Sequence, residues 1–125
     1  MLDQPLIRLA THCSLQVERD AGTATIRLAG EFDLACEERF QEELNGILDG
    51  VIKTLVLDLR GLDFIDSTGL RTLLRVDAAA HSDGFDLMVL CSDGHVRRML
   101  RETGLDGVLE VADRSDAAPP ADGPG

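Results

Sequence analysis

Leu55-Val56-Leu57-Asp58-Leu59-Arg60-Gly61-Leu62-Asp63-Phe64-Ile65-Asp66-Ser67-Thr68-Gly69-Leu70 is the stretch on which the fold turns. Its first five residues form a short, almost uninterrupted apolar run, the pattern of a central parallel strand covered on both faces. Leu70, Leu73, Leu74 and Val76 then recur at helical spacing. They predict a helix that starts at about Ser67 or Thr68 and ends near Asp83-Gly84. A buried strand, a loop and a helix in that order are half of a βαβ unit, which implies an α/β protein.

Similar segments lie on either side. Upstream, Cys13-Leu15-Val17 and Ala24-Ile26-Leu28 alternate with polar neighbours as half-buried strands do, and Asp20-Ala21-Gly22 between them marks a hairpin turn. Phe40, Leu44, Ile47 and Leu48 share one helical face, with Gly50 as the expected stop. Downstream come a buried strand, Leu87-Met88-Val89-Leu90, and a helix marked by Val96, Met99 and Leu100 that stops at Gly104. Val108-Leu109-Glu110-Val111 reads as the last strand. The order is β-β-α-β-α-β-α-β, a mainly parallel mixed central sheet with an antiparallel N-terminal edge strand and packed helices. Residues 1–12 read as an N-terminal extension and 13–112 as the domain. Residues 113–125, with three of the four prolines and no large apolar residue, read as a disordered acidic Pro/Gly/Ala tail.

A chain of 125 residues with 44% hydrophobic residues has the material for one domain and its core. Its formal net charge is −11, with 12 basic residues against 23 acidic ones, and its only aromatics are four Phe. That excludes the basic surface and the stacking platforms that nucleic acids require. The acidity is uneven: residues 30–66 hold ten acids and three bases. No apolar run approaches the roughly 18 residues that span a bilayer, so no membrane insertion is expected. Cys13, Cys36 and Cys91 are odd in number and sit in apolar patterns, as reduced buried thiols of a cytoplasmic protein do. His12, His81 and His95 fall in no spacing typical of a zinc site, and no metal is expected. Neither a phosphate-cradling glycine motif nor a nucleophile elbow is present, and no general base accompanies Ser67, which argues against an enzyme.

Ser67 has two readings. One is an N-cap, its hydroxyl accepting from a first-turn amide. The other is a phosphate acceptor, because an anion at a helix N-terminus meets free amides and the positive end of the dipole. A phosphate adds roughly −1.5 to −2 charges, here beside Asp63 and Asp66. A partner carboxylate about 5 Å away would feel ~3 kcal/mol of repulsion per unit charge at an effective dielectric near 20. Such a site can act as a switch.

Three motifs in order complete the pattern: Gly30-Glu31-Phe32-Asp33 after the second strand, Asp66-Ser67-Thr68-Gly69-Leu70, and Thr103-Gly104-Leu105 before the last strand. With an apolar strand preceding the serine, the chain resembles a STAS domain over about residues 13–112, in particular the stand-alone anti-sigma factor antagonists (anti-anti-sigma factors). That resemblance implies a phosphoprotein of bacterial transcription regulation. The unphosphorylated form would bind an anti-sigma factor that is itself a serine-protein kinase and so release the sigma factor. Phosphorylation of Ser67 would abolish binding, and a PP2C-type phosphatase would restore it. ATP and magnesium would then belong to the kinase, and this chain would need no cofactor.

By the same resemblance Glu31, Asp33, Asp66, Ser67, Thr68 and Gly69 are the partner-binding residues, with Thr68 a possible second phosphorylation site. Asp33 and Asp66 also suit turn and cap chemistry, and Gly69 suits either close approach of a partner or packing. Arg97, Arg98 and Arg101 form a secondary contact or a solvated basic face. Many relatives have a Pro entering the third helix, where this chain has Ser92-Asp93-Gly94-His95. STAS modules also occur in transport systems and in large stress-signalling assemblies. The alternative expectation is therefore a cytoplasmic accessory subunit of a lipid or anion transporter.

Overall fold

The computed structural model describes residues 6–113. Their elements run β1 (Ile7–Ala10), β2 (Cys13–Asp20), β3 (Thr23–Phe32), α1 (Leu34–Leu48), β4 (Thr54–Ile65), α2 (Ser67–Asp83), β5 (Asp86–Leu90), α3 (His95–Glu102) and β6 (Val111–Ala112), with a 3-10 turn at Leu105–Gly107. One six-stranded sheet holds the strands in chain order. The β1–β2–β3 pairs are antiparallel, and β3–β4, β4–β5 and β5–β6 are parallel. The α/β class and the mixed sheet are thus as the sequence implies.

Alternation along the strands sorts the residues. Leu15, Ala24, Ile26, Leu28, Leu55, Leu57, Leu59 and Val89 pool with Phe40, Leu44, Ile47, Leu73, Val76, Val96 and Leu100 of the helices in one core. Val56 and Asp58 point the other way and are nevertheless buried, so the run Leu55–Leu59 is covered on both faces. Burial pushes the Asp58 carboxyl up, but hydrogen bonds from Arg60 at 2.7 and 2.8 Å, helped by Arg27 across the strand pair, hold it below the usual range. Buried and paired with Arg60, Asp58 adds nothing to the acidic surface although it is one of the ten acids of residues 30–66.

Four expectations need correction. First, a strand, β1, lies inside the segment expected to be a mere extension. Leu9 is buried, and Ile7 and Arg8 pair with Leu15 and Ser14. Four residues ending at a polar turn carry too little alternation to announce a strand. Second, Arg60–Phe64 is not a loop, because β4 continues to Ile65 with two irregularities in its register against β3. Leu62 and Ile65 are buried there. Third, the last strand is only Val111–Ala112. The amides of Val108 and Leu109 both donate to the Leu105 carbonyl, at 2.9 and 2.8 Å, and are spent in the turn. Fourth, α1 ends at Leu48 with Asp49 as its cap, and Gly50 is not left-handed. The expected disorder of 113–125 falls, apart from Asp113, outside the described residues, as do residues 1–5.

Candidate functional site

Parallel pairing of β3 with β4 brings two of the three motifs together. Glu31 is in register with Phe64, and Phe32 with Ile65. The Asp66 amide donates to the Phe32 carbonyl at 3.3 Å, tying the start of α2 to the end of β3. Both strands deliver their motifs at the C-terminal edge of the sheet, where α/β folds place their sites. Thr103-Gly104-Leu105 is not part of this cluster. It precedes β6 and therefore lies at the opposite edge, with Gly104 left-handed at φ 80° and Leu105 buried.

The N-cap of α2 is Asp66 rather than Ser67. Its carboxylate accepts from the Gly69 amide at 3.0 Å, and its carbonyl accepts from Leu70 at 3.0 Å. A carboxylate outcompetes a hydroxyl for that role by adding charge to the hydrogen bond. Ser67 is consequently the first helical residue, exposed, with its hydroxyl in no hydrogen bond among the described residues. A group on that oxygen would sit beside the amides that open a seventeen-residue helix. Thr68 is half-buried, and its carbonyl accepts from the Thr72 hydroxyl at 3.0 Å.

Gly69 is held to glycine by packing. It is buried, and a Cβ there would strike Ile65 and come within 3.1 Å of Phe32 Cδ1. Its smallness lets α2 start directly on the β3–β4 pair. Gly30 is equally constrained: its φ is +103°, and a Cβ would strike the His12 carbonyl.

Asp33 is the N-cap of α1. One carboxylate oxygen, Oδ1, accepts from the Ala35 amide at 3.0 Å, and the other, Oδ2, lies 2.9 Å from His12 Nε2. The hydrogen bond with His12, with smaller help from Cys36 and Ala35, holds this carboxyl below the usual range. Cap chemistry is therefore established for Asp33, and neither it nor Asp66 hydrogen-bonds the Ser67 hydroxyl among the described residues. Glu31 is exposed, its amide donating to the His12 carbonyl at 2.9 Å.

Some of the rim was not visible in the sequence. Leu34, next to Asp33, is 69% exposed, and Phe64 is 41% exposed and stacked on His95 with ring centroids 5.0 Å apart. Singly exposed apolar residues carry no sequence signal; only the turn chemistry flanking Asp33 and Asp66 could have indicated them. Arg98 and Arg101 are exposed, whereas Arg97 is half-buried and donates to the Cys91 carbonyl at 3.2 Å. The three thiols are buried as expected. Burial, aided by the neighbouring Cys36, pushes Cys13 up to about 12, and burial pushes Cys91 to about 11. No helix among the described residues is long and apolar enough to cross a membrane.

Comparison with known proteins agrees with this geometry. The chain is 30% identical to BtrV of Bordetella bronchiseptica, which bears the name of an anti-sigma factor antagonist, over 83% of its own length and 90% of the relative's. An anti-sigma factor antagonist from Mycobacterium paratuberculosis superposes with a TM-score of 0.72 at 24% identity, covering 87% of this chain and 92% of the other. The anti-sigma factor antagonist SpoIIAA in its unphosphorylated form superposes with a TM-score of 0.69 at 25% identity, covering 82% and 91%. The family profile described as the STAS domain matches residues 14–118. A strand-to-helix junction with an exposed first serine, built on this sheet and matched over most of its length, makes the chain a member of the STAS-domain family.

Proposed function

We propose that this protein is an anti-sigma factor antagonist whose binding is switched at Ser67. The observation that carries the proposal is the division of labour at the start of α2: Asp66 caps the helix, which leaves the Ser67 hydroxyl exposed and uncommitted. Unphosphorylated, the protein binds an anti-sigma factor with serine-kinase activity, and the sigma factor is released. Glu31, Thr68 and Ser67 present the polar part of the docking face, Leu34 and Phe64 its apolar part, and Asp33 and Asp66 set the geometry of both helix starts. Phosphorylation adds charge beside Asp63 and Asp66 and repels the partner, and a PP2C-type phosphatase resets the protein. ATP and magnesium act on the kinase, in the cytoplasm, and this chain contributes a binding surface and an acceptor hydroxyl rather than catalysis.

The names of the similar proteins support the reading, including that of SpoIIAA in a form distinguished as unphosphorylated. The test is to incubate the protein with its cognate anti-sigma kinase and Mg-ATP and to map phosphate by mass spectrometry. Modification is expected at Ser67 and absent from Ser67→Ala. Ser67→Asp is expected to bind the kinase about a hundredfold more weakly, from ~3 kcal/mol of repulsion across about 5 Å at an effective dielectric near 20. Phosphate elsewhere only, or equal binding by wild type and Ser67→Asp, would overturn the proposal.

A further inference from the structure

Beside the switch, three side chains of different chemistry converge. His12, in the turn between β1 and β2, meets Asp33, the cap of α1, and Cys36, in that helix's first turn. Their donor atoms all lie within 4.8 Å of one another. His12 Nε2 is 2.9 Å from Asp33 Oδ2 and 3.9 Å from Cys36 Sγ, and Cys36 Sγ is 3.4 Å from Asp33 Oδ1. Metal–ligand bonds of ~2.0 to 2.3 Å put the corners of a tetrahedral zinc site roughly 3.3 to 3.6 Å apart. The separations of His12 Nε2 from Asp33 Oδ2 and from Cys36 Sγ fall on either side of that range, and the 3.4 Å contact of Cys36 Sγ is with the capping oxygen Oδ1.

We propose that His12, Asp33 and Cys36 form a binding site for a zinc-class divalent metal ion, with solvent in the fourth position. One nitrogen, one carboxylate oxygen and one thiolate are a borderline-soft donor set, which suits zinc and cobalt and not magnesium or calcium. His12 and Asp33 each keep 35% of their side chains exposed, so an ion has a way in, while Cys36 forms the buried floor. Asp33 divides its oxygens: Oδ1 caps the helix through Ala35, and Oδ2, which faces His12, is free to ligate without loss of the cap.

Binding takes the Nε2 lone pair of the neutral imidazole, whose one proton then sits on Nδ1, and releases the Cys36 thiol proton to solvent. Burial raises that thiol, and a bound dication supplies the charge that reverses the effect. The cysteine and histidine lie 24 positions apart, on separate elements, which is why their spacing resembles no zinc motif. The site does not depend on the switch at Ser67, and its test needs no partner protein.

Titrate the untagged full chain with Co2+, following absorption, and with Zn2+, following calorimetry. One equivalent of Co2+ is expected to bind and give a thiolate-to-metal charge-transfer band, and one equivalent of Zn2+ is expected to raise the melting midpoint. His12→Gln, at a half-exposed position that leaves the core intact, is expected to weaken binding more than about tenfold. Cys36→Ser is expected to abolish the charge-transfer band, and Cys91→Ser to leave it unchanged. Binding without a thiolate band, or equal affinity in wild type and His12→Gln, would overturn the proposal.

Discussion

At Asp66 a single carboxylate decides what Ser67 is free to do. Asp66→Ala removes the bond to the Gly69 amide and is expected to cost about 1 kcal/mol in urea unfolding. Asp66→Asn, which can still accept, is expected to cost less. The two motif glycines have stronger steric requirements. Gly69→Ala forces a methyl group onto Ile65 and Phe32, and the expected loss of stability is about 1 to 3 kcal/mol. Gly30→Ala combines a φ of +103° with a collision against the His12 carbonyl. Backbone strain and steric clash act together there, so its expected loss is the larger of the two, at least about 2 kcal/mol by the same measurement. The identity of these residues was legible in the sequence. Their reasons were not, because the atoms that crowd them belong to other elements.

Among the elements, the β2–β3 hairpin offers the clearest stabilising change. Ala21 and Gly22 have φ of 49° and 89°, two consecutive left-handed residues that match the twist of the strands they join. Alanine is strained there and asparagine tolerates the conformation, so Ala21→Asn is expected to stabilise the fold by about 0.5 to 1 kcal/mol in the same urea measurement. A fall in stability would show that the turn's geometry is set elsewhere. The hairpin itself was readable, because alternation and a turn signal are local. The short strand β1 and the extension of β4 were not. Both exist because a neighbouring strand provides partners, β2 for Ile7 and Arg8 and β3 for the residues up to Ile65.

For the molecule as a whole, two carboxyls contribute to the response to acid. Asp33 and Asp58 are both held below their ordinary values by hydrogen-bond donors in the folded state. A depressed carboxyl contributes stability that is present above the unfolded pKa, about 3.9, and is lost as pH falls through the lower folded value. The melting midpoint is therefore expected to fall below about pH 4, and Asp58→Asn to lessen that dependence. A midpoint unchanged between pH 5 and pH 3 would contradict it. The buried thiols have the complementary behaviour: Cys13 and Cys91, raised to about 12 and 11, are expected to resist alkylation at neutral pH until the chain is denatured.

The amino-acid sequence by itself determined the class of fold and the helix that begins at Ser67. Each rests on periodicity and local chemistry, which act over a few residues. The tertiary structure alone decided that Asp66 and not Ser67 caps that helix, that Gly69 packs inward, and that Asp58 is neutralised by Arg60 instead of adding to an acidic face. It also decided that His12, Asp33 and Cys36 share one corner. These outcomes depend on which strands become neighbours and in what register, and no window of sequence contains that information.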